Sequence, residues 1–190
     1  YLTDEEAAQI DDYKRYKLTE DGISPLAYPG QLEDDVVLVD SDEHDQDGHI
    51  IEDAETRNKM VEKRDAKLQK LAAEELTEPK YCGADEVDYV LVSWGSTYGP
   101  VLEAQELLEE DGVEVGVLSF NDLWPLATEK IEELAAESEL IVVENNYTAQ
   151  FAKLLRAETG IKAEHNVLKY DGRPFTGAEI YNRIQAEVIK

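Results

Sequence analysis

One cysteine, Cys82, stands alone among 190 residues. It permits no intramolecular disulfide and no thiolate cluster, a usage that fits a reducing cytosol and predicts a cytoplasmic location. Cations are scarce: 18 Lys and Arg against 44 Asp and Glu give a formal net charge of −26. A chain so short of positive charge has little with which to displace counterions from DNA or RNA, so nucleic acid is excluded as a partner. An anionic membrane surface is excluded on the same ground. Long apolar runs are missing too. Tyr89–Val92 and Leu140–Val143 are a handful of residues each, far short of the roughly 20 that a membrane span needs. The chain opens at Tyr1 with neither an initiator Met nor a secretory leader pattern, which reads as a piece of a longer polypeptide.

What is present is enough for a core: 42% of residues are hydrophobic, so the charge does not imply wholesale disorder. The charge is also uneven. From Leu18 to Thr56 there are thirteen acids and no Lys or Arg; residues 81–190 hold 21 acids and 8 bases. Each stretch therefore carries −13, and the one net charge has two separate causes. Residues 57–80 are slightly basic, with seven bases and five acids.

The first 80 residues read as the tail of a preceding domain, an acidic linker and a connecting helix. Thr3 and Glu6 have the spacing of a capping box, which predicts a helical turn over Thr3–Gln9. Ile23–Gly30 (ISPLAYPG) reads as an extended loop ordered by packing. Val36–Val39 suits a short buried strand. Asp53 is placed to cap a long helix, roughly Ala54–Leu76, with a narrow apolar stripe of Met60, Val61, Leu68, Leu71 and Leu76.

Residues 81–190 alternate in period. Apolar runs at Val87–Trp94, Val113–Phe120, Leu140–Val143 and Asn166–Tyr170 predict strands. Helices are expected from Pro100 through Glu110 and over Pro125–Glu137, Thr148–Thr159 and Thr176–Ile189; Gly160 is a C-cap and Thr176 with Glu179 a second capping box. Ile131 and Leu134 are expected to face inward. Such alternation implies a three-layer α/β/α domain with a mainly parallel sheet covered on both faces.

Several clusters invite a chemical reading. Glu43–Asp53 (EHDQDGHIIED) sets Glu43, Asp45, Asp47 and Gly48 at positions 1, 3, 5 and 6 of a calcium loop. Ala54 falls at position 12, where a bidentate Glu belongs, and no helix precedes the loop, so a solvated acidic turn competes with a metal site. His44 and His49 lack a well-spaced third ligand for zinc. Trp94–Gly99 (WGSTYG) follows a strand and opens a helix, with Ser96 or Thr97 as cap. It matches neither G-x-G-x-x-G nor G-x-x-x-x-G-K-[ST], and a plain strand-to-helix turn competes with a phosphate cradle. Glu144-Asn145-Asn146-Tyr147 ends another strand on the same edge of a parallel sheet, where open α/β sheets place ligands. Lys169–Thr176 (KYDGRPFT) is a rigid turn in which Arg173 is expected to have an acidic partner. The edge candidates for a contact are Gly95, Ser96, Thr97, Glu144, Asn146, Tyr147 and Arg173. Nucleophilic catalysis finds no support, since His165 stands alone and Cys82 has no adjacent His.

Taken together, these segments resemble one family. Gly22-Ile23-Ser24-Pro25, Pro29-Gly30, Glu43-His44-Asp45 with Gly48, Glu52-Asp53, Arg57, Lys59-Met60 and Lys63-Arg64 resemble the linker region of the alpha subunit of 2-oxoacid:ferredoxin oxidoreductases. Trp94-Gly95-Ser96-Thr97, Glu144-Asn145-Asn146-Tyr147-Thr148 and Lys169–Thr176 resemble its C-terminal domain, which is like that of transketolase. The resemblance implies an enzyme that uses thiamin diphosphate, Mg²⁺, an iron–sulfur cluster and coenzyme A to turn a 2-oxoacid, 2-oxoglutarate in preference to pyruvate, into acyl-CoA and CO₂ while reducing ferredoxin. It implies as partners a beta subunit, the rest of the alpha subunit and, through the complex, ferredoxin. The family's Tyr-Pro-Ile-Thr-Pro substrate motif and its arginine for the 2-oxoacid carboxylate are absent from these 190 residues. Leu26 stands where relatives often have Arg, which argues against an anion contact by that loop. On this reading the fragment is structural, inactive alone and binds no cofactor of its own, and Glu43–Gly48 is a packed connector. A stand-alone nucleotide- or flavin-binding α/β module using Gly95–Gly99 is the alternative. The diffuse acidity of residues 81–190 suits solubility at molar salt and predicts a halophilic, haloarchaeal source.

Overall fold

The computed structural model describes residues 1–32, 38–39 and 41–189. These divide into two compact units, Tyr1–Glu75 and Leu76–Lys190.

In the first unit, α1 (Asp4–Ala7) starts at the expected capping box, with the Thr3 hydroxyl accepting from Glu6 N–H and the Glu6 carboxylate accepting from Thr3 N–H. Tyr13 orders the ISPLAYPG loop. Its buried hydroxyl accepts from Ala27 N–H at 3.0 Å and donates to the Pro25 carbonyl. Helix α2 (Ala54–Glu74) begins at Asp53, whose side chain accepts from Thr56 N–H at 2.8 Å. Only Met60 and Lys63 of α2 are buried; of the expected apolar stripe, Val61, Leu68 and Leu71 are exposed and Leu76 lies beyond the helix. Lys63 donates to the Gly22 carbonyl at 2.7 Å, and burial pushes its pKa below the usual lysine value. Of the strand expected over Val36–Val39, Val36 and Val37 lie outside the described residues, and Leu38 and Val39 belong to no strand.

The second unit is a five-stranded sheet in the order β1-β3-β2-β4-β5. Its strands are β1 (Lys80–Cys82), β2 (Tyr89–Trp94), β3 (Val115–Phe120), β4 (Glu139–Glu144) and β5 (His165–Leu168). Neighbours among β2 to β5 pair in parallel, and β1 adds antiparallel to β3. The helices are α3 (Tyr98–Glu110), which follows a 3₁₀ turn over Gly95–Thr97, then α4 (Glu129–Ala135), α5 (Gln150–Thr159) and α6 (Gly177–Glu187).

The continuous apolar runs arise because both sheet faces are covered, so successive residues are buried in opposite layers. Val90, Val92, Leu118, Phe120, Leu140 and Val142 face α4 and α5 through Ile131, Leu134, Phe151 and Leu155. Leu91, Val115, Val117, Ile141 and Val143 face α3 and α6 through Val101, Ala104, Leu108, Ile180 and Ile184. This is the mostly parallel α/β architecture that the alternating pattern predicts. Two details differ. The helix expected over Pro125–Glu137 is shorter, because Leu123 and Leu126 pack on the core from a loop before α4 begins. The antiparallel β1 was not expected, since three residues carry no readable period.

Candidate functional site

The chain leaves β2 and passes through α3 to β3 on one side; after β4 it passes through α5 to β5 on the other. The carboxyl ends of β2 and β4 therefore flank a topological switch point, the place where open α/β sheets present a crevice. A small cavity of about 120 Å³ lies there, lined by Trp94, Ser96, Thr97, Asn145, Asn146 and Gln150.

The side chains expected at this edge are present, and most are engaged with their own chain. Glu144 is fully buried. Its carboxylate accepts from the Asn146 side-chain amide at 2.7 Å and from Phe151 and Ala152 N–H at 2.8 and 3.1 Å. The Asn146 carbonyl oxygen accepts from Thr148 and Gln150 N–H. Together they terminate the free N–H groups at the start of α5, which Ala149 enters in a left-handed conformation with φ 51°. This entry delays the helix to Gln150, two residues after the expected Thr148. On β2, the Thr97 hydroxyl donates to the Trp94 carbonyl at 2.8 Å and closes the 3₁₀ turn, so Thr97 and not Ser96 holds it.

The Lys169–Thr176 turn is likewise self-contained. Lys169 donates to both Glu179 oxygens at 2.7 Å and to the Pro174 carbonyl, and the ammonium holds the Glu179 carboxyl below its usual pKa. Arg173 forks onto Asp171, its expected acidic partner, and lowers the Asp171 pKa in turn. The edge also presents exposed aromatics. Tyr147 and Tyr170, 69% and 65% exposed, form an edge-on pair with ring centroids 4.8 Å apart at the ends of β4 and β5. Tyr147 was among the expected contacts; its pairing with Tyr170 depends on the β4–β5 register and has no local sequence signal.

The acidic loop of the first unit is a tight turn. Asp45 accepts from Asp47 and His49 N–H, while His44 and Ile50 bridge across it. Ligand atoms of Asp45, Asp47 and His49 come within 4.8 Å of one another, but Asp47 pairs with Lys14 at 3.1 Å. Glu43 is held by Arg57 at 2.8 Å and Arg64 at 2.9 Å, which lower its pKa. Three of the residues at calcium-loop positions thus accept from groups of their own chain.

The cofactors implied by the resemblance can be tested against these residues. An iron–sulfur cluster needs several thiolates, and Cys82 alone does not fit. A diphosphate-bound Mg²⁺ needs carboxylate or amide oxygens free to turn toward it, and the oxygens of Glu144 and Asn146 are committed to α5. Neither group fits this edge, and no reaction step is assigned to it. No helix among the described residues is long and apolar enough to cross a membrane.

Comparison with known proteins agrees with the architecture. Residues 84–164 match the family described as the transketolase C-terminal domain. A 2-oxoacid:ferredoxin oxidoreductase subunit alpha of Saccharolobus solfataricus is 36% identical over 94% of the chain, and a 2-oxoacid:ferredoxin oxidoreductase 2 subunit alpha of Aeropyrum pernix is 36% identical over 92%. Among solved structures, the 2-oxoglutarate:ferredoxin oxidoreductase from Magnetococcus marinus, with 2-oxoglutarate, coenzyme A and succinyl-CoA bound, is 33% identical with a TM-score of 0.78. The match covers 94% of this chain and 31% of that one. The chain's homologues are thus alpha subunits of 2-oxoacid:ferredoxin oxidoreductases. The chain spans about 28% of the length of the Saccharolobus solfataricus protein.

Proposed function

We propose that the chain is the C-terminal part of the alpha subunit of a 2-oxoacid:ferredoxin oxidoreductase, comprising a linker with its connecting helix and a transketolase C-terminal-like domain. The whole enzyme would carry out thiamin diphosphate-dependent oxidative decarboxylation of a 2-oxoacid to acyl-CoA, with ferredoxin as electron acceptor. The reading rests above all on similarity that runs through both units, 94% of the chain at 36% identity. Preference for 2-oxoglutarate over pyruvate is supported by the substrate of the Magnetococcus marinus relative.

Within that enzyme the chain serves as scaffold and subunit contact, with no catalytic group of its own. The side chains of Glu144, Asn146 and Arg173 are spent internally, whereas Tyr147 and Tyr170 are exposed together. Paired aromatics of this kind anchor protein interfaces through large area at low entropic cost. The complete alpha subunit with its beta subunit should reduce ferredoxin faster with 2-oxoglutarate than with pyruvate, and the 190-residue chain should reduce none. A pyruvate preference would overturn the substrate assignment, and ferredoxin reduction by the chain alone would overturn the scaffold role. Tyr147→Ala combined with Tyr170→Ala in the complete alpha subunit should weaken association with the beta subunit at least roughly tenfold; unchanged association would remove this edge from the interface.

A further inference from the structure

Strand register places three polar side chains in one row across the second unit. Lys80 on β1 is opposite Ser119 on β3, and Ser119 is opposite Ser93 on β2. Registered neighbours point to the same face of a sheet. Alternation along the strands, with Val117 and Leu91 two residues back, puts that face toward α3. In an otherwise apolar layer this row requires an explanation. Ser93 is fully buried, and among the described residues its hydroxyl has no hydrogen-bond partner. Ser119 is 5% exposed, and among the described residues its hydroxyl has no partner either. Buried hydroxyls are normally satisfied, so the unpaired Ser93 is unusual, while Ser119 lines a cavity.

The row borders a cavity of about 200 Å³ lined by Lys80, Gly95, Tyr98, Ser119, Phe120 and Asn121. The Lys80 ammonium rests over the Tyr98 ring, 4.9 Å from its centroid. Its pKa is raised by the Tyr98 hydroxyl and, to a lesser extent, by Cys82, with no carboxylate among the causes. Among the described residues Lys80 has no acidic partner, although it lines this cavity. Gly95 begins the turn that leads into α3, and neither that turn nor the first turn of α3 carries an acid. Of the acids nearest along the chain, Asp122 accepts from Thr77 N–H at 3.0 Å, and Glu78 lies two residues before Lys80. The cavity therefore offers an ammonium, a hydroxyl, an amide and the start of a helix, all suited to oxyanions.

We propose that Lys80, Ser119 and Asn121, with Gly95 and Tyr98, form a binding site for a phosphate group, either free phosphate or the phosphate of a small phosphoester. Lys80 supplies charge, the Ser119 hydroxyl and Asn121 amide supply directed donors, and the cavity accommodates a single phosphate. The assignment does not depend on the oxidoreductase reading.

Calorimetry of the full chain tests it in about 0.5 M KCl, where repulsion by the acidic surface is screened. Inorganic phosphate is one titrant and AMP the other, so that free phosphate and phosphoester are distinguished by which binds more tightly. Lys80 is exposed, and Lys80→Ala should leave folding intact while weakening binding at least roughly tenfold. Ser119→Ala, which removes only the hydroxyl, should weaken it roughly fivefold. Saturable binding lost in Lys80→Ala supports the site. Absence of binding by either titrant, or equal binding by the Lys80→Ala variant, overturns it. Nuclear magnetic resonance shifts confined to Ser119, Asn121 and Gly95 on adding phosphate would support the site independently of affinity; shifts elsewhere alone would overturn it.

Discussion

Asn146 donates its side-chain amide to Glu144 at 2.7 Å, and between them these two residues take up the N–H groups of Thr148, Gln150, Phe151 and Ala152. A buried carboxylate is ordinarily costly; here its charge is matched by donors at the positive end of α5.

Glu144→Ala is expected to cost about 3 kcal/mol, because it strands the buried Phe151 N–H, the part-buried Ala152 N–H and the Asn146 amide. Glu144→Gln should cost less, since its carbonyl oxygen still accepts. Urea unfolding midpoints measure both. Wild-type stability in Glu144→Ala would show that the carboxylate is not what holds α5 to β4.

Gly22 adopts φ 72°, and a Cβ there would lie 2.2 Å from the Lys63 carbonyl oxygen. Gly30, at φ 84°, has no atom of the described residues within 4 Å of such a Cβ. Gly22→Ala should therefore destabilise by about 3 kcal/mol and Gly30→Ala by about 1 kcal/mol, the second reporting backbone strain alone. Equal losses in thermal unfolding would refute the close approach of Gly22 to α2.

Asp21 bonds to Lys70 at 2.8 Å and accepts from Ile23 N–H; the lysine is the larger cause that lowers its pKa to about 2. Because the folded value lies below the usual 3.8, the pair stabilises the fold above that pH. Its contribution fades as pH falls from about 4 toward about 2. A carboxyl titration of Asp21 should give a midpoint near 2, moving toward the usual value in Lys70→Met. A midpoint that ignores Lys70 would rule out the pairing in solution.

The acidic coat should make stability depend on salt. We expect the melting temperature to rise between about 0.1 M and about 3 M KCl as self-repulsion is screened. A flat profile would sink a halophilic origin for residues 81–190.

Much of the second unit was readable because β2, β3 and β4 are buried on both faces and α5 and α6 have a marked stop or start. Thr176 with Glu179 and Gly160 are local devices, and both appear where the residues predict them. The left-handed entry at Ala149 was not readable, because it is imposed by acceptors on Glu144 and Asn146 and alanine has no preference for it. Register hid more. Ser93 in YVLVSW and Ser119 in VGVLSF each look like a minor interruption of an apolar strand, and only pairing across β2, β3 and β1 aligns them with Lys80. In the acidic loop, sequence spacing sets carboxylates at calcium positions without revealing that Arg57, Arg64 and Lys14 pair with two of them.

The antiparallel β1 has a consequence for the order of assembly. Lys80–Cys82 is the first strand of the sheet to be synthesised, yet its partner Val115–Phe120 follows only after β2 and α3. At about 5–20 residues per second, the first strand waits some seconds for an edge to join. The sheet is then closed on that side by its oldest strand, and the Lys80–Ser119 pairing is made only once the younger β3 is in hand.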